Sequence, residues 1–392
     1  MNKEKTPLLG RSGVQTLLSS LICILLGLLV GFIVLLCINP RGAVGAITAI
    51  LKNFMTYSKP TAQLKYFANT LVKTVPLILC SLSVLFAYKV GLFNIGAAGQ
   101  YVVGAGVSLY LALKLNMPWY VCLVAAVLAG ALLGALSGLL NAYRNVNVVI
   151  SCIMLNWISL YAVNTLLAQV KESTSPYTLP VKGTNPAALL PSLGLDKLFN
   201  SQYVTIALPL AILIPILIWV LLEKTKLGYE LKATGFNSNA AKYAGMKEKR
   251  NIILTMAISG GLAAMGAGLF YLTGFEQWST TQSSVPAMGF NGIAAGFLGG
   301  LSPIGSIFSS YFIQHITNGG AYVDKTMYSA QISDLITSLI IYLCAFVLFF
   351  KQFIGKRAVS TAQNANAEPA DDKQEDTAQT AGDGETGKGG EA

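Results

Sequence analysis

Few residues in this chain are suited to chemistry, and their spacing excludes most of it. The single histidine, His315, sits in a Ser/Gly/Ile-rich apolar stretch with no evident partner. It reads as a packed or pore-lining side chain rather than a general base. No HExxH run is present to hold a zinc ion. No GxxxxGK(S/T) loop occurs either, because Gly355-Lys356 is followed by Arg357, so the chain does not bind ATP through a P-loop of its own. Cys23, Cys37, Cys80, Cys122, Cys152 and Cys344 lie singly in or beside apolar runs, and act there as small apolar residues. No acid lies deep in an apolar run: Glu276 falls in a loop and Asp334 near the end of the last run. Lys73 is the one base well inside a run, placed to snorkel outward or to meet a polar substrate group. Hydrolysis, redox chemistry and proton or sodium coupling are all disfavoured by this inventory. Were such a chain to move a solute, the energy would have to come from another subunit.

The elements that carry these residues are spelled out by composition. Of 392 residues 54% are hydrophobic and 11% charged, where a soluble domain carries about 25% charged. Apolar windows of about 20 residues, enough to cross roughly 30 Å of hydrocarbon, recur along the chain. They fall near 15–38, 66–88, 96–114, 118–142, 148–169, 203–222, 252–273, 287–301, 305–320 and 330–351. The eighth and ninth are short and Gly-interrupted, which sets the count at eight to ten. The expected fold is all-α, a polytopic integral membrane protein, with 38 glycines suited to close helix packing. The first run is too long for a signal-peptide core and reads as a retained span.

Charge orients the spans. Residues 361–392 hold eight acids and two bases, a net −6, which leaves +16 on the first 360. That tail lacks aromatic residues, and 358–392 is expected to be disordered and acidic. Lys3, Lys5 and Arg11 in the 1–14 segment, together with seven bases in 223–251, mark the cytoplasmic side. Ten spans then put both termini inside, and 15–357 is the transmembrane domain. Residues 39–65 carry four bases outside; the spacing of Val44, Ile47, Ile50, Leu51 and Phe54 predicts a helix lying on the outer surface. The 170–202 loop is the largest outer connection.

Two further patterns stand out. Residues 93–99 read FNxxAAG, and 290–296 read FNxxAAG again. Matching Gly-interrupted segments entering from opposite sides are what an inverted repeat produces, and such segments flank transport pathways. In the 223–251 loop, Asn237 or Ser238 can cap a short helix that Gly245 ends. Its small face (Ala240, Ala241, Ala244) and Tyr243 suit docking into a partner's groove.

These residues carry a specific resemblance. Asn239-Ala240-Ala241-xxx-Gly245 resembles the EAA-xxx-G motif of binding-protein-dependent ABC import permeases, with Asn for Glu. Residues 91–100, GLFNIGAAGQ, are similar to the GLFNIGAEGQ segment of simple-sugar and nucleoside permeases, with Ala98 for Glu. Gly289 to Ala294 and Leu301 to Gly305 look like the same family's GFxxIAVALLG…NPxG region. The likeness runs from about residue 60 to 355. It implies a permease in a bacterial cell membrane that pairs with a second related permease and an extracellular substrate-binding lipoprotein. The third partner is an ATPase that binds the ATP and Mg, so this chain itself holds no cofactor. The FNIGA form points to nucleosides, with a ribose- or galactose-type sugar permease or a stand-alone secondary carrier as alternatives. Asn94, Gln100, Asn156, Trp157, Tyr161, Asn164 and Asn291 are the candidates to line the pathway, and each could equally serve helix packing. Asn239, Ala240, Ala241, Tyr243 and Gly245 are the candidates for ATPase coupling.

Overall fold

The structure, a computed structural model, describes residues 12–352 other than 330, 345 and 348. The basic N-terminal residues and the acidic 358–392 segment lie outside the described residues. The helices in chain order are α1 (Ser12–Ile38), α2 (Ala43–Lys52), α3 (Pro60–Lys89), α4 (Ala97–Leu113), α5 (Trp119–Arg144) and α6 (Val148–Leu167). Then follow the single turns α7 (Val181–Thr184) and α8 (Leu195–Leu198), and α9 (Ala207–Lys224), α10 (Lys226–Phe236) and α11 (Ser238–Tyr243). The last are α12 (Glu248–Tyr271), α13 (Met288–Leu298), α14 (Pro303–Gly319) and α15 (Ile332–Cys344). Among the described residues there is no strand, only two isolated β-bridges.

Six of these helices are long and apolar enough to cross a membrane. They sort into two layers by what their sequences can bury. From Thr74 to Ala87, α3 is buried on every side, and α4 and α12 are nearly so. Such all-round burial makes them the centre of the bundle. The helices α1, α5, α6 and α9 surround it with one face open. On α5 that face is Val124, Leu128, Leu132 and Leu136, and on α1 it is Leu17, Leu21, Leu25 and Leu29. Rows of exposed leucine at four-residue spacing would be costly in water and are at home against lipid. The fold is a polytopic all-α membrane bundle.

Glycine sets how closely the layers meet. Gly130, Gly134 and Gly138 of α5 recur every four residues and face Met256, Gly260 and Ala264 of α12. A Cβ at Gly134 would fall on the Met256 carbonyl oxygen, and one at Gly260 on that of Gly130. This is small-xxx-small packing, in which van der Waals contact between backbones replaces the hydrophobic drive that lipid cannot supply.

Two expected elements differ in the structure. The apolar stretch 287–301 forms only the 11-residue α13, about 16 Å long, so it is a half-helix rather than a span. The helix expected within 39–65 is α2, but its inward face is Ala43, Ala46 and Ile50, while Val44 and Leu51 are exposed. His315 is a packing residue: its Nε2 lies 2.9 Å from the Leu51 carbonyl oxygen, and its ring stands edge-on to Phe54.

Candidate functional site

The bases of 223–251 gather at one end of the bundle, and the chain there is built to hold a small helix outward. Thr225 caps α10 by accepting from the Gly228 N–H at 3.1 Å. Asn251 of α12 donates to the Thr234 hydroxyl at 2.8 Å and so ties α10 to α12. Gly235 lies flat against the Val90 carbonyl and the Gly91 backbone, where a side chain on either glycine would collide; Gly91 also has φ of 77°. Beyond it the Asn237 side chain accepts from the Ala240 N–H at 3.0 Å and starts α11. Gly245, at φ 81°, lets the Met246 N–H return to the Ala241 carbonyl at 3.0 Å. This closes the helix as a glycine C-cap does.

The outward face of α11 is Asn239, Ala240, Tyr243 and Ala244. Ala241 departs from the expected small face, because it turns inward and is buried against its own chain. Tyr243 is 94% exposed and Phe236 95%. Tyr243 is the anchor expected from its place on the short helix; Phe236, an aromatic residue beside the capping Asn237, is a second that the sequence reading misses.

The 90–96 segment links this end to the interior. The chain leaves α3 at Lys89, turns at Gly91 and runs back inward before α4 begins at Ala97. The Asn94 amide is fully buried and donates to Gln100 Oε1 at 2.8 Å and to Ser259 Oγ at 2.6 Å, with Ser83 Oγ at 3.1 Å. Gln100 Nε2 returns to Asn94 Oδ1 at 3.3 Å, and the Ser259 hydroxyl donates to the Ser83 carbonyl at 2.7 Å. Asn156 of α6 accepts from the Gly99 N–H at 2.8 Å and donates to the Ile95 carbonyl at 3.2 Å. Asn94, Gln100 and Asn156 therefore join α3, α4, α6 and α12 around the break. Neither serine was legible as a partner, since Ser83 and Ser259 lie in different spans and resemble any other small residue there.

The two FNxxAAG copies meet at this point. A Cβ on Gly289 would strike the Ala98 backbone, and Gly292 abuts Cys80 of α3. Their conformations differ: the first copy is irregular through Phe93-Asn94-Ile95, whereas the second is helical throughout. The pair marks where two helices start inside the bundle, and it does not establish an inverted repeat. Asn291 is half-buried on α13. Trp157 and Tyr161 are elsewhere, on the open face of α6, with rings stacked at 6.1 Å and 23°.

At the opposite end Asn164 donates to the Gln282 carbonyl at 2.8 Å and accepts from the buried Trp278 Nε1 at 2.9 Å. Trp278 is held in a cap made by the 170–202 and 274–286 loops, pinned by the Tyr177–Ser279 bridge. The Glu172 carboxylate accepts from Ser175 (2.7 Å) and Gln277 (2.9 Å), which holds its pKa below the usual carboxylate value. Lys73 stands 5.6 Å over the Phe275 ring, a cation–π contact beneath this cap.

The amide junction yields one prediction of its own. Asn94→Leu keeps the volume but strips Gln100 of its side-chain partners, at about 1–3 kcal/mol for each buried polar group left alone. A clear fall in the melting temperature of the detergent-solubilised protein is expected, with Gln100→Leu in the same background costing little more. Independent, additive losses would contradict the pairing.

A bundle of this kind, charge-poor inside and carrying a capped helix at a basic end, is a multi-pass membrane permease of the ABC transporter class. The chain belongs to the family described as branched-chain amino acid transport system / permease component, which matches residues 66–345. It is similar to the guanosine ABC transporter permease protein NupP of Bacillus subtilis, 28% identical over 87% of this chain and 96% of that protein. It is 30% identical to the nucleoside ABC transporter permease protein NupB of Lactococcus lactis, over 76% of this chain and 84% of that one. A glucose ABC transporter permease protein, TsgB13 of Haloferax volcanii, is 28% identical over 77% and 81%. No solved structure matches the chain significantly.

Proposed function

We propose that this permease imports nucleosides into a bacterial cell, with ATP and Mg bound and hydrolysed by a separate ATPase subunit. A second related permease would complete the channel, and an extracellular lipoprotein would deliver the substrate. The basic end faces the cytosol, as the retention of Lys and Arg on the inner side requires; Thr16 near the start of α1 and Lys351 beyond α15 both lie at that end, which would put both termini inside with it.

The observation that carries the coupling is the backbone contact between Gly235 and Gly91. On ATP binding the ATPase halves close and carry α11 with them. Because α10 rests on Gly91 without an intervening side chain, the displacement passes directly to the 90–96 segment. From there it reaches the junction of α3, α4 and α12, and opening of the substrate path would turn from the outer side to the inner.

Nucleosides are favoured over sugars on two grounds. The guanosine permease NupP is matched over 96% of its length and 87% of this chain and the nucleoside permease NupB at 30% identity, against 81%, 77% and 28% for the glucose permease. If the second permease packs against the open face of α6, the stacked Trp157–Tyr161 pair there would offer a π-face to a base, while the one cation well inside a span among the described residues, Lys73, is taken up over the Phe275 ring. Uptake of labelled adenosine in the assembled transporter should be competed by unlabelled guanosine and not by ribose. Trp157→Ala should lower that uptake about tenfold, the scale of one lost base–aromatic stack, and Trp157→Phe should restore most of it. Competition by ribose alone would move the assignment to simple sugars.

A further inference from the structure

A cavity of about 630 Å³ at the basic end belongs to none of the machinery above. It lies between α1, α9 and the α13–α14 turn, and no pathway candidate or α11 residue lines it. Its charged lining residues are Lys89 at the end of α3, Lys351, and Glu223 near the end of α9. The Glu223 carboxylate is already matched by Lys232 at 3.0 Å. Lys89 and Lys351 have no carboxylate within salt-bridge distance among the described residues. The wall hydroxyls of Ser20 and Ser309 donate to the Leu298 and Ala295 carbonyls, each at 2.6 Å. Ser302 accepts from the Gly305 N–H, so the charge left to match is at the two lysines, and the large side chains of the remaining wall are apolar, among them Trp219, Phe308 and Phe312.

Along α14 the lining runs from Ser302 to Phe312, a height of roughly 15 Å, half of the ~30 Å hydrocarbon core. A cavity one leaflet deep, apolar along its length and cationic at the membrane surface, matches one kind of ligand. We propose that it binds an anionic phospholipid, its phosphate between Lys89 and Lys351 and an acyl chain against Trp219, Phe308 and Phe312. Basic pockets between membrane helices recognise anionic headgroups in this way. The acidic segment 361–392 would suit the lysines but not the walls, because it contains no Leu, Ile, Val, Met or aromatic residue.

Native mass spectrometry of the full-length chain in non-ionic detergent tests this, with palmitoyl-oleoyl phosphatidylglycerol and the phosphatidylcholine of the same chains as probes. Phosphatidylglycerol should be retained at least about tenfold better, and the double variant Lys89→Gln/Lys351→Gln should bring the two lipids to parity. Phosphatidylglycerol with brominated chains should quench fluorescence that is lost in Trp219→Phe, which places the chain in the cavity even if the lysine variant folds poorly. Equal retention of the two lipids by the unaltered chain would overturn the proposal, as would quenching that survives Trp219→Phe undiminished. Displacement of the lipid by glycerol phosphate alone would show a phosphate site without an acyl slot. A rise in lipid binding on deleting 361–392 would show that the tail is the occupant.

Discussion

Replacing both Phe236 and Tyr243 with Ala should abolish ATP-driven uptake while leaving the permease folded. Both rings stand almost wholly in solvent, on either side of the Asn237 cap, and neither supports a contact within the bundle. Each is the kind of aromatic anchor that carries about 2 kcal/mol or more at a protein–protein interface. Losing both weakens docking of the ATPase by at least a hundredfold, since every 1.4 kcal/mol is tenfold. Three readings separate this from misfolding: the melting temperature stays unchanged, the lipoprotein keeps its affinity for substrate, and the ATPase no longer co-purifies. Tyr243→Phe alone should retain most activity, because the ring rather than the hydroxyl fills the groove. A double variant that still co-purifies and transports would move the coupling surface away from α11.

The second large effect is structural. Gly134→Leu should abolish recovery of folded protein from membranes. No rotamer relieves the clash, because the obstacle is the Met256 carbonyl and not a movable side chain. Overpacking in a core typically costs about 1–3 kcal/mol, and forcing two backbones apart along a shared seam exceeds that range. Gly134→Ala should fall between the two, with a lower melting temperature. Leu132→Ala, on the lipid-facing side of the same helix, should change almost nothing. Recovery of the Gly134→Leu protein at the level of the unaltered chain would contradict the α5–α12 seam.

Much of this was legible before any coordinates, and the boundary has physical reasons. Burial against lipid needs only composition and length, so the long spans follow from hydropathy. The Asn237 cap and the Gly245 stop are local hydrogen-bonding and φ requirements, and both stand where the residues indicate. What failed was length in α13, where an apolar run passes for a span although the chain turns at Gly299-Gly300-Leu301 after eleven helical residues. The glycines of α5 were equally opaque: small residues recur in nearly every span, and only the tertiary fold reveals that Gly134 meets Met256. The same applies to Asn94. Its amide type announced a hydrogen bond, but its partners Ser83 and Ser259 are apart in sequence and unremarkable in type.

The central claim is that a separate ATPase, acting through α11, drives nucleoside movement through this chain. The most direct measurement is uptake of labelled guanosine into proteoliposomes carrying the complete transporter, with the nucleotide-binding side accessible and the membrane potential clamped. Uptake should follow added ATP and Mg, cease with a non-hydrolysable analogue, and vanish in the Phe236→Ala/Tyr243→Ala variant. Uptake that proceeds at the same rate without ATP would contradict the account and leave a carrier that works alone.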